Sequence, residues 1–178
     1  MRKLKIDYSE LEFAFENYGD EVRFYLDKET GNVLQITEEE QKLAESIHEE
    51  YYNKDTGEID WDSAFEETDI PDWEQEGVKN AELVEINFSE RIIRIPSEDS
   101  HEGYNDMEDF VFEVKNKRIQ QRLEDAINGR GAFRRFKNVL QEYPAERELW
   151  FEFKNNRTRQ RILDWLESED ISLDDKEG

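Results

Sequence analysis

An α+β fold is predicted, with a small antiparallel sheet from two β-hairpins and a C-terminal group of about four helices, on three features of the 178-residue sequence. Apolar and polar residues alternate over two early stretches, 22–36 and 83–95, as half-buried strands require. From Gly103 onward the apolar residues recur at helical spacing instead. Strands first and helices later is the order in which an α+β chain segregates its elements.

In chain order, Leu11, Phe13, Ala14 and Phe15 are dense enough for a short helix over 8–18. Val22, Phe24 and Leu26 then alternate with Arg23, Tyr25 and Asp27. Lys28 to Asn32 supply turn chemistry, and Val33, Leu34 and Ile36 return as the second strand. Thr37 followed by Glu38, Glu39 and Glu40 has the form of a capping box, and Leu43, Ala44, Ile47 and Tyr51 give the helix behind it an apolar face. Residues 53–82, with Gly57, Pro71 and Gly77, show the weakest periodicity and are expected as a long loop or connection. Leu83, Val84, Ile86 and Phe88, a turn at Ser89-Glu90, and Ile92, Ile93 and Ile95 make the second hairpin, which Pro96 ends. Four helices follow: one around Tyr104, Met107, Phe110, Val111 and Val114, one around Ile119, Leu123, Ala126 and Ile127, one over 132–143 that Pro144 stops, and one over 146–167. A single α+β protein over 1–178 is expected, subdivided into a hairpin-rich part at 1–98 and a helical part at 99–170, with an acidic tail at 171–178.

Charge is distributed very unevenly along this chain. The net charge is -23, yet residues 115–161 carry 13 Lys and Arg against 6 Asp and Glu. So negative a protein repels nucleic acid and anionic membranes at long range, and any contact with a polyanion must be local. Twelve per cent of the residues are aromatic, enough to offset chain entropy and argue against disorder. With no cysteine, disulfides and thiolate chemistry are excluded, and with two histidines a histidine-rich zinc site cannot form. No apolar run follows the basic residues of the N-terminus, and no window approaches the length of a membrane span, so a cytoplasmic protein without membrane contact is expected. Gly57 to Trp61 looks like half of a calcium loop, but Tyr52, Lys54, Thr56 and Ser63 would fall at ligand positions, so a turn is the better reading. There is no Gly-x-Ser-x-Gly elbow and no phosphate-binding Walker loop, and no catalytic residue, metal ligand or cofactor site is predicted.

At the centre of the basic stretch stands Gly129-Arg130-Gly131-Ala132-Phe133-Arg134-Arg135-Phe136-Lys137. Gly129 suits the left-handed residue past a helix end, and Gly131 opens the next helix. On that helix Phe133, Phe136 and Leu140 lie within about 60° of one another and are expected in the core. Arg134, Lys137 and Gln141 share a separate stripe and Arg135 lies farther round, all left for solvent or a partner. Backbone N–H groups at the helix start, beside Arg130 and Arg134, make a candidate anion site. Lys154, Arg157, Arg159 and Arg161 form a second cluster near Trp150 and Phe153, whose rings are candidates for base stacking or for burial. The competing reading spends these cations inside the protein, as partners of its own acidic half.

The motif from Gly129 to Leu140, followed by Trp150, Phe153, Arg157 and Trp165-Leu166, resembles a bacterial family known only as uncharacterised protein family number one hundred and fifty-eight. Leu26-Asp27 to Val33, Ile70-Pro71-Asp72-Trp73, Ile95-Pro96-Ser97 and Tyr104 with Met107 and Phe110 are similar to its other landmarks. The resemblance implies one complete bacterial cytoplasmic protein and names no activity. From the residues themselves, the expected function is a non-enzymatic binding module for a phosphate-rich or acidic partner, nucleic acid among them. Its anion- or nucleic-acid-binding residues are Gly129, Arg130, Gly131, Arg134, Arg135, Lys137, Arg157 and Arg161. The alternative is an acidic interaction or nucleic-acid-mimic protein acting through residues 38–76, where 16 carboxylates face two lysines. A hydrolase using the Gly129 to Arg134 region as an anion site is a third reading.

Overall fold

The computed structural model describes residues 1–17 and 19–174. It is an α+β chain with small sheets and a helical C-terminal part, as predicted. Two compact units are present: one of Met1–Ala14, Gly19–Pro96 and the chain from Ile171, the other of Phe15–Tyr18 and Ser97–Asp170. The last residues of the expected acidic tail, and Tyr18 at the end of the first expected helix, lie outside the described residues.

In the first unit, β1 (Arg2–Leu4) precedes α1 (Tyr8–Glu16), whose first residues belong here. β2 (Val22–Asp27) and β3 (Val33–Thr37) form the first predicted hairpin, with Tyr25 opposite Leu34. α2 (Glu38–Tyr51) starts with the predicted capping box: the Glu40 N–H donates to Thr37 Oγ1 at 3.1 Å, and the Thr37 N–H donates to Glu40 Oε2 at 2.8 Å. Two of the four donors orphaned at the helix start are thereby satisfied without water.

The segment expected as a loop is largely ordered. β4 (Tyr52–Asn53) and β5 (Glu58–Ile59) form a minimal hairpin around the Gly57 turn, and α3 (Trp61–Glu67) and α4 (Asp72–Asn87) follow. This corrects the second predicted hairpin, because Leu83, Val84 and Ile86 end α4 and are not a strand. Val78, Ala81 and Val84, at three-residue intervals, are the buried face of that helix, and Ile86 is exposed. Gly77 reads as a breaker in sequence, but a Cβ there would stand 1.8 Å from Glu40 Oε1, so its missing side chain admits the carboxylate of α2. Beyond the turn at Ser89, β6 (Ile92–Arg94) pairs antiparallel with β2, Leu26 opposite Ile93, giving the sheet order β3-β2-β6. Tyr25, Leu34, Ile36, Ala44, Ile47, Val78 and Ile92 form the core beneath α2 and α4. β7 (Ile171–Leu173) closes the unit, pairing in parallel with β1, Arg2 opposite Ile171.

The second unit holds the four predicted helices: α5 (Ser100–Glu113), α6 (Lys117–Ala126), α7 (Ala132–Glu142) and α8 (Pro144–Ser168). Asp99 and Glu102 make a second capping box, and Asn116 accepts the N–H groups of Arg118 and Ile119 at the start of α6. Pro144 ends α7 and occupies the first turn of α8, where its missing N–H costs nothing. The core is aromatic: the Phe136 ring stands 4.9 Å from Trp150, and Phe110 stands 5.3 Å from Trp150 and 5.6 Å from Phe153. Trp150 and Phe153 are therefore partly buried residues packed against this core. Among the described residues no helix is long and apolar enough to cross a membrane.

Candidate functional site

The glycine-flanked motif links α6 to α7. Gly129 and Gly131 both take the left-handed conformation, with φ of 77° and 76°, and no side chain caps the start of α7. Ala132, Phe136 and Leu140 face the core. Phe133, expected beside them, is 41% exposed and stands on the outer side of the helix. On the helical wheel it is the edge of the apolar arc, one step from Lys137 four residues on, and that edge falls in solvent.

Arg135, expected to be free, is not. Its Nε donates to the Ala126 carbonyl at 2.9 Å, Nη1 to the Arg130 carbonyl, and Nη2 to the carbonyls of Asn128 and Gly129. These oxygens belong to the last turn of α6 and to the loop, where helical partners run out, so the guanidinium replaces the missing donors. Arg135 builds the turn that holds its neighbours.

The second basic cluster is spent in the same unit. Arg161 Nη1 donates to Asp106 Oδ2 at 2.8 Å and to Glu98 Oε1 at 2.9 Å, and Nη2 donates to Asp106 Oδ1 at 2.7 Å. Lys154 pairs with both carboxylates, and Asp106 is fully buried. Burial alone would raise the Asp106 pKa, but the hydrogen bonds of Arg161 and Lys154 together outweigh it and hold the carboxyl below its usual range. The same contacts raise Arg161. Arg157 pairs with Asp109 at 2.7 Å and lies over the Phe153 ring. On α6, Arg122 is bound by Glu142 and the Tyr143 hydroxyl.

Within the glycine-flanked motif three cations remain. The side chains of Arg130, Arg134 and Lys137 are exposed and have no hydrogen-bond or ion-pair partner among the described residues. From Ala126 to Gln141 the sequence contains no carboxylate at all, although the chain holds 47. Arg134, Lys137, Gln141 and the exposed Phe133 form one outward stripe of α7. The stripe combines cations, an amide and a ring, the groups that hold a phosphate backbone and stack on a base. Of the eight predicted site residues, the structure keeps Arg130, Arg134 and Lys137 open, places Gly129, Gly131 and Arg135 in the supporting turn, and binds Arg157 and Arg161 to carboxylates.

The helical unit thus pairs Lys154, Arg157 and Arg161 with carboxylates and leaves Arg130, Arg134 and Lys137 exposed on the loop and outer face of α7. Comparison with known proteins places the chain more narrowly. The model of the Uncharacterised protein family (UPF0158) matches residues 65–177. The UPF0158 protein PA5073 of Pseudomonas aeruginosa is 30% identical over 171 residues, covering 96% of this chain and 87% of that one. The chain belongs to the UPF0158 family. No solved structure matches it.

Proposed function

We propose that this protein is a non-enzymatic binding module that engages a phosphate-rich polymer, single-stranded nucleic acid above all, through the outer stripe of α7. The observation that carries this reading is the set of three cations, Arg130, Arg134 and Lys137, left without partners in a chain with about two carboxylates for every cation. Lys115 and Arg118 are exposed as well, and what sets these three apart is that they lie together in a stretch, Ala126 to Gln141, that holds no carboxylate. Phe133 beside them supplies a stacking platform, and the uncapped N–H groups of α7 add donors for a phosphate oxygen. Gly129, Gly131 and Arg135 shape the loop, while Arg157 and Arg161 support α8 and do not touch the ligand.

The test is the salt dependence of binding to a fluorescent oligouridylate. Three phosphate contacts on a single strand correspond to a slope of log K against log salt of about -2. Arg134→Ala and Lys137→Ala should each reduce the slope by about 0.7. Phe133→Ala should weaken binding roughly tenfold with the slope unchanged. Absence of binding at low salt, or slopes that ignore both substitutions, would refute the reading.

A further inference from the structure

A second surface lies in the first unit, apart from the stripe on α7. Between α2 and the turn joining α3 to α4 runs an open groove of about 350 Å³. Its floor is apolar, made by Leu43, Ile47, Tyr51, Ile70 and Pro71. Its rim is Glu39, Glu50, Asp69 and Glu74, and no Lys or Arg lines it. None of these four carboxylates has a hydrogen bond or ion pair among the described residues. The lysine of α2, Lys42, is held by Glu38 at 2.6 Å.

Trp73 follows Pro71 closely and directly precedes Glu74, and it is 81% exposed without a ring or hydrogen-bond partner among the described residues. An exposed tryptophan whose chain neighbours Pro71 and Glu74 line the groove is of the residue type that dominates the centres of protein interfaces. Four unpaired carboxylates around an apolar floor complement a ligand that is apolar on one side and cationic at its edges. A polyanion is repelled by that rim, and an uncharged apolar peptide gains no attraction from its carboxylates.

We propose that this groove docks a short basic amphipathic helix of a partner protein. Its apolar side chains sit on Leu43, Ile47 and Ile70 under the Trp73 ring, and its lysines or arginines reach Glu50 and Asp69. This is the helix-in-groove mode of recognition, with charge setting orientation and the apolar anchors setting affinity.

The experiment titrates the full chain with a labelled peptide carrying leucines on one helical face and lysines on the other, read by fluorescence anisotropy. Two controls replace its leucines by alanine and its lysines by glutamate. Glu50→Lys with Asp69→Lys, and separately Trp73→Ala, should each weaken the leucine–lysine peptide at least about tenfold. Glu85→Lys with Glu90→Lys, an equal charge change at exposed sites in the same unit, should leave it unchanged. All the altered residues are exposed, so folding is preserved and is checked by circular dichroism. Equal binding of the alanine–lysine peptide, equal weakening by the Glu85 and Glu90 pair, or no binding of the leucine–lysine peptide overturns the proposal. The oligouridylate titration is read at α7, so failure of either reading leaves the other standing.

Discussion

Replacing Arg161 by Met should destabilise the protein while sparing its affinity for an oligonucleotide. Methionine retains an unbranched stem of good helix propensity inside α8 and removes the three hydrogen bonds to Asp106 and Glu98. Asp106 is fully buried and Glu98 is 5% exposed, so the carboxylates cannot turn to water for compensation. Breaking a buried pair costs about 3–5 kcal/mol, and because Lys154 still contacts both acids the lower end applies, about 3 kcal/mol. For a chain of this size that lowers Tm by roughly 6–12 °C. Urea unfolding followed by far-ultraviolet circular dichroism measures the loss. The gap between wild type and variant should narrow in acid. The Asp106 carboxyl is held below its usual range, so its share of stability is present above about pH 4 and disappears as pH falls through the lowered value. Wild-type stability in Arg161→Met, accompanied by lost oligonucleotide binding, would show that Arg161 contacts ligand and would refute the reasoning.

Two further outcomes are expected. The Asp27 carboxyl, 2% exposed and paired with Arg91 at 2.6 Å, is pushed down to about 2 chiefly by the Arg91 hydrogen bond. A carbon-detected NMR titration should place its midpoint there, with about 2 kcal/mol of stability present above pH 4 and lost on descent through pH 2; a midpoint near 4 contradicts it. Gly129→Ala and Gly131→Ala should each cost about 1 kcal/mol for the left-handed backbone, and Gly131→Ala more, because its Cβ would stand 3.2 Å from Arg135 Nη1, whereas nothing lies within 4 Å at Gly129. Equal losses in thermal unfolding would mean that Arg135 yields freely.

The elements that depend on neighbours in sequence are the legible ones. The β2–β3 hairpin, the Thr37–Glu40 box and the four C-terminal helices are each specified by residues a few places apart, so pattern and structure agree. The second hairpin fails because six alternating residues at 83–88 fit a strand and the end of an amphipathic helix equally well. α4 is obscured by Gly77, whose purpose depends on Glu40, 37 positions away in sequence. At the basic surface the sequence locates the cations but cannot sort them. Arg161 meets Asp106 across 55 residues, and Arg135 turns back on carbonyls that no residue pattern advertises. Phe133 reads as core by residue type, and only the packing of α7 shows that the arc ends at Phe136.

The pairing of β1 with β7 has a consequence for how the molecule is made. The first unit contains Arg2 and also Ile171, so everything between them must leave the ribosome before β1 finds its partner. A contact between such distant residues is among the last a chain acquires. The second unit is in effect an insertion, and a nascent chain stalled within α8 carries β1 without its strand partner, its N–H groups left to water. Emergence of Ile171 to Leu173 is thereby written into the hydrogen bonding of a three-residue strand. A chain cut before Ile171 would lose that pairing while retaining every residue of the basic stripe.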